Sequence, residues 1–144
     1  MVGDSIKTHR AVRGSALIEM ALVATLVFII IFGMMDLAQF LFYEQALVER
    51  VRAAARWGAV NDPSNTTAIT NVVLYSQSTM PAGATPSFGL NSTMVSVTTP
   101  DTNTDNYRLS VTLSGYSLQL LSPWIYGRYG GAPITVSVPL DQYN

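Results

Sequence analysis

From Met20 to Met35 the chain carries no charged residue, and its only polar side chain there is Thr25. An α-helix rises ~1.5 Å per residue, so ~20 apolar residues cross a ~30 Å hydrocarbon core. Counted from Ser15, the far edge of such a core falls near Met35, with Asp36 at the interface. No proline stands between Ser15 and Trp57, which predicts one unbroken helix ending at Gly58. Residues 15–36 suit lipid or the core of a filament. Residues 37–58 are amphipathic: Leu37, Leu41, Val48, Val51 and Ala55 recur on one side, while Gln45, Glu49, Arg52 and Arg56 lie on another. Glu49 and Arg52 are spaced for an ion pair on the helix surface. The apolar stripe needs something to pack on, and the rest of the chain supplies it.

That helix also accounts for an unusual composition. Charged residues make up only 12% of the chain, against ~25% in a typical soluble domain. The 144 residues suffice for one small domain plus an anchor. There is no cysteine, hence no disulfide framework and no thiolate metal site. A net charge of −1 gives no electrostatic footprint for nucleic acid.

Residues 1–14, MVGDSIKTHRAVRG, set Lys7, Arg10 and Arg13 against Asp4 ahead of the apolar run. The run is about twice as long as that of a secretory signal peptide and ends in no small-residue cleavage site. The basic leader predicts a cytoplasmic N-terminus, a single span and an exported C-terminal part. At the junction, Gly14 precedes Ser15, and Glu19 is the fifth residue after the glycine. This arrangement resembles the type IV prepilin site, cut between glycine and the next residue by an aspartic prepilin peptidase on the cytoplasmic side. The resemblance implies a mature chain starting at Ser15 with a new α-amine. A carboxylate within hydrocarbon costs ~2.5–3.5 kcal/mol on insertion scales and calls for a partner. Glu19 lies one turn from Ser15 and, in a stack of such helices, is placed to pair with the α-amine of a neighbouring subunit.

A longer match narrows the family. Arg13-Gly14, Ser15-Ala16, Glu19, Ala21-Leu22, Gly33, Asp36, Tyr43 and the closing Ala53-Ala54-Ala55-Arg56 are similar to the TadE-like proteins of the tight-adherence (Flp) pilus system. One departure is Thr25, where that family often has proline, which implies a straighter helix here. The resemblance implies a TadE-like minor pilin, with the prepilin peptidase, the tight-adherence assembly platform, other pilin subunits and the membrane as partners. It also implies a role in adhesion and surface attachment. Gly33 and Asp36 are candidates for helix–helix contact, although Asp36 also fits as a marker of the outer membrane boundary.

The remainder, 59–144, is predicted to be an exported α+β head. Asn65 or Ser64 is placed to cap a helix over 66–76, although the Thr, Val and Ile content of that run also suits a strand, and Met80 to Leu90 is punctuated by Pro81, Gly83, Pro86 and Gly89 and reads as a loop. Three segments then alternate with period two: Thr93–Thr99, Tyr107–Leu113 and Ile134–Leu140. Such one-sided alternation marks an antiparallel sheet with one solvated face, and Pro139 assigns the last strand to an edge. The fold expected is a long N-terminal membrane-spanning helix packing on a small three-stranded antiparallel sheet, a pilin-like lollipop. The run Asp101–Asn106 spaces oxygens like a calcium loop but lacks its glycine and its closing glutamate, and reads as a hairpin turn. Trp124, Tyr126, Arg128 and Tyr129 cluster as a candidate interface.

Catalysis finds no support in the residue inventory. His9 and Lys7, the only histidine and lysine, both lie in the leader. Without them no Ser-His-Asp or Ser-Lys nucleophile, Schiff base or zinc site can be assembled, and no nucleotide-binding glycine motif is present. No cofactor is expected. Two further readings remain: a filament-forming major pilin with a head, and a bitopic anchored protein whose head binds an envelope partner.

Overall fold

The computed structural model describes residues 5–99, 107–120, 122 and 128–140. Two helices, α1 (Ser5–Val60) and α2 (Thr66–Tyr75), are followed by five strands: β1 (Val95–Thr98), β2 (Arg108–Leu113), β3 (Ser117–Gln119), β4 (Arg128–Gly130) and β5 (Ile134–Pro139). The layout is α+β. The chain forms two compact units, Met1–Gln39 with Leu120–Tyr126, and Phe40–Gln119 with Gly127–Asn144.

In the first unit the helix presents apolar side chains on every side. Leu17, Met20, Leu26, Phe28, Ile30 and Met34 are all exposed. With no polar face in this stretch, the sequence offers water nothing, and the helix is long and apolar enough to cross a membrane.

The second unit holds the core. Leu47, Val51, Ala54 and Ala55 of α1 are buried with Ile69, Val72 and Val73 of α2 and with Leu109, Val111 and Leu113 of β2. These helix positions differ from the expected stripe. Val51 and Ala55 belong to both sets, but Leu37 is 59% and Leu41 50% exposed. Apolar residues fill more than one stripe beside the polar side of Gln45, Glu49, Arg52 and Arg56, so periodicity leaves the buried one open. The packing selects the side on which Ala54, Ala55 and Gly58 let α2 and β2 approach. Gly58 is therefore no C-terminal cap. It is buried inside α1, which continues to Val60, and a Cβ placed on it would stand 2.6 Å from Leu109 Cδ2 and 2.7 Å from Ile69 Cδ1.

The opposite side of this helical stretch behaves as its sequence suggests. Gln45, Glu49, Arg52 and Arg56 are exposed, and Arg52 meets Glu49 at 2.8 Å. Arg50, half-buried, donates to the carbonyls of Val73 and Leu74 at 3.2 and 3.3 Å. These are among the last carbonyls of α2, which have no intrahelical donors, and a cation suits that end of the helix dipole. The Arg50 guanidinium also lies 4.9 Å from the centre of the Phe88 ring, which meets Tyr43 edge-on at 5.2 Å. At the start of α2, Asn65 Oδ1 accepts from the Ala68 backbone N–H at 3.0 Å, the capping bond its sequence position implies.

The main sheet has the order β1-β2-β5, antiparallel throughout, with Val97 opposite Val111 and Val111 opposite Val136. Leu109, Val111 and Leu113 face the core. On the other face, Ser110 pairs with Ser137 and Thr112 with Thr135 through their hydroxyls. β5 is an edge strand, which leaves room for Pro139. The hairpin of β3 and β4 has no counterpart in the predicted elements. Three-residue strands give too short an alternation to stand out, and Gly130 and Gly131 resemble loop. Gly131 is needed there, because a Cβ would strike the Tyr116 ring.

Candidate assembly site

Gly14, Ser15 and Glu19 all lie within α1 and are exposed. Helical geometry puts Ser15 and Glu19 on one face, a turn apart. Nothing stands within 4 Å of a Cβ built on Gly14. Among the described residues Glu19 has no hydrogen-bond or ion-pair partner, although the sixteen residues after it are apolar apart from Thr25. Thr25 does not break the helix: its hydroxyl donates to the Ala21 carbonyl at 2.8 Å, which hides the polar group within the helix itself. Gly33 is equally open, with no atom within 4 Å of a built Cβ.

Asp36 is placed differently from these residues. It lies twenty-one residues beyond Ser15, about 31 Å along a helix, yet it is only 5% exposed. Its carboxylate accepts from the backbone N–H of Ser122 at 3.2 Å and, in a second and short bond, from the Ser122 hydroxyl. Ser122 is itself 4% exposed. Burying an acidic group without partners is costly, and these two donors offset that cost. The partner lies eighty-six positions away in sequence, beyond the reach of any local pattern. One helical turn on, Gln39 has a buried side-chain oxygen with no hydrogen-bond partner among the described atoms.

Of the aromatic cluster around β4, Trp124 and Tyr126 lie outside the described residues, as does the Asp101–Asn106 turn. Arg128 opens β4, and Tyr129 stands opposite Leu118 with its ring exposed. Among the described residues no group of acidic side chains and histidine is placed to hold a metal.

Residues 14–56 match the family model of TadE-like proteins. Over that stretch this chain is similar to TadE-like proteins. No curated protein and no solved structure matches the chain. The TadE-like segment begins at the exposed Gly14-Ser15 junction and ends at the helical turn that enters the core. Within it, Ala54 and Ala55 are buried against α2 and β2, and Tyr43 holds Phe88. Its last third therefore has a packing role inside the chain, while residues 14–31 are exposed.

Proposed function

We propose that this chain is a pilin-like assembly subunit of a tight-adherence pilus, a minor pilin that starts or supports the filament. The prepilin peptidase cuts it between Gly14 and Ser15, and it packs through residues 15–36 against the same segment of other pilin subunits. Before assembly it sits in the bacterial inner membrane with its N-terminus cytoplasmic and its head exported, and the tight-adherence platform draws it into the pilus. Adhesion and surface attachment are properties of that assembly. The role is structural, with no chemistry beyond the cleavage it undergoes.

One observation carries this reading: a helix apolar on all sides bears a single unpaired carboxylate, Glu19, one turn from the residue that cleavage would make the N-terminus. An anchor has no use for that carboxylate and inserts better without it. A stack of helices does, because Glu19 neutralises the Ser15 α-amine of its neighbour. Removing one member of a buried ion pair costs ~3–5 kcal/mol.

The test is pilus yield measured beside membrane abundance for Glu19→Leu, with N-terminal mass spectrometry of the membrane and sheared-surface fractions. Cleavage at Ser15, normal membrane abundance and lost piliation are expected. An intact Met1 terminus in the native host would refute the processing step. Normal piliation by Glu19→Leu would refute the pairing and favour a bitopic protein whose head binds an envelope partner.

A further inference from the structure

The α2 helix has a second face that the core uses only in part, through Leu74 and Tyr75. Ala68, Ile69, Val72 and Val73 point into the core, whereas Thr66, Thr70, Asn71 and Tyr75 line a groove of about 460 Å³. Its far wall is formed by Met80, Pro86 and the Asn91-Ser92 pair ahead of β1, and the buried Leu74 lies between the walls. The volume falls within the ~300–1,000 Å³ usual for small-molecule sites.

The loop facing α2 is fixed at its start by a hydrogen bond and at its end by burial. Asn71 Nδ2 donates to the Ser78 carbonyl at 3.2 Å, tying the start of the loop to α2. Leu90, 4% exposed, anchors the loop's end. Asn91 Oδ1 accepts from both the backbone N–H and the hydroxyl of Thr93, at 3.0 and 2.6 Å, so its side-chain amine is left over. Among the described residues, the hydroxyls of Thr66, Thr70 and Ser92 also make no side-chain hydrogen bond. The lining thus carries unused hydroxyls and an amide beside the Tyr75 ring, half-buried against the core, and two apolar side chains, Met80 and Pro86. Among the described residues no charged side chain lines it.

We propose that this groove binds a short neutral oligosaccharide. A pyranose ring carries hydroxyls on its rim and C–H groups on its faces. It can satisfy the hydroxyl and amide groups while laying an apolar face on Tyr75 and Met80. An acidic or basic ligand would find no counter-charge. This inference goes beyond the assembly reading and holds or fails independently of it.

The test uses the full chain in micelles of a zwitterionic detergent without a sugar head group. Saturation-transfer NMR is run with cellotetraose, maltotetraose and an N-acetylglucosamine tetramer, and with sialyllactose and a hyaluronan tetramer as acidic counterparts. At least one neutral oligosaccharide should bind with a Kd below ~10 mM, with affinity falling at least ~10-fold in Thr70→Val/Tyr75→Leu. Ser92→Ala, at an exposed position outside the core, should also weaken binding without changing the melt, so loss of fold is told apart from loss of contact. Thr112→Val, on the outer face of the sheet, should bind as the parent does. Absence of binding by every neutral oligosaccharide, binding confined to the acidic ones, or affinity unchanged in both groove variants would overturn the proposal.

Discussion

Replacing Gly58 by alanine sets two opposing effects against each other, and the structure decides between them. Inside a helix, Gly→Ala is ordinarily worth about 1 kcal/mol in favour of the fold. Here the new methyl would stand 2.6 Å from Leu109 Cδ2, 2.7 Å from Ile69 Cδ1 and 3.0 Å from Ile69 Cγ1. Carbon atoms pack best at ~3.5–4.0 Å, so the shortfall is about 1 Å from two directions at once. Chain ends could swing aside at an exposed site, but Ile69 and Leu109 are both fully buried. Overpacking of this kind costs ~1–3 kcal/mol. Taking the middle of that range against the propensity gain leaves a net loss of about 1 kcal/mol, or a Tm lower by ~4–8 °C for a domain of this size. The assay is thermal unfolding of the full chain in detergent micelles, followed by near-ultraviolet circular dichroism. Gly33→Ala is the control, because the same methyl meets nothing within 4 Å there, and it should not lower the Tm. Ile69→Val in the Gly58→Ala background should recover part of the loss by removing the clashing methyl. A Tm raised by Gly58→Ala would refute the close approach of α1, α2 and β2.

Val111→Asp should abolish the cooperative melt, since Val111 is fully buried in the central strand and an unpaired buried charge consumes most of a marginal stability of ~5–15 kcal/mol. An unchanged melt would show the strand's inward face to be misassigned. Burial, aided by the Glu44 carboxylate, raises the Tyr116 phenol above its ordinary value of 10.0. The folded chain then holds this proton more tightly than the unfolded one. The stability it contributes is present below pH 10 and falls as pH rises from there through the folded-state value. Tyr116→Phe should flatten that alkaline decline while losing about 0.5–1.5 kcal/mol at neutral pH with the 2.9 Å bond to the Ala132 carbonyl; melts across the alkaline range check both effects. Ser122→Ala removes the hydroxyl that Asp36 accepts from, a charge-assisted bond worth ~1.5–3 kcal/mol. Hydrogen exchange at the Ser122 amide should quicken, and unchanged protection would show that the bond holds nothing in place.

The sequence alone determined the elements whose cause is local. The apolar run without proline could only be a long helix. Ser64 and Asn65 placed the start of α2, with the structure choosing Asn65 as its cap; the period-two alternation placed β1, β2 and β5 and chose their inward faces, and Pro139 identified the edge. The spacing of Gly14, Ser15 and Glu19, on which the proposed assembly role rests, is local as well, since these residues lie within two helical turns. Tertiary structure decided whatever needed two distant parts of the chain. It chose the buried stripe of the helix from Leu47 to Gly58, where apolar residues beside the side of Glu49, Arg52 and Arg56 allowed more than one stripe and small residues marked the one that could be approached. It gave Gly58 a packing role where its position suggested a cap. It also joined Asp36 to Ser122 and Arg50 to the carbonyls of α2. Such pairs leave no periodic trace, because a hydrogen bond constrains the two groups it joins and says nothing about the residues between them.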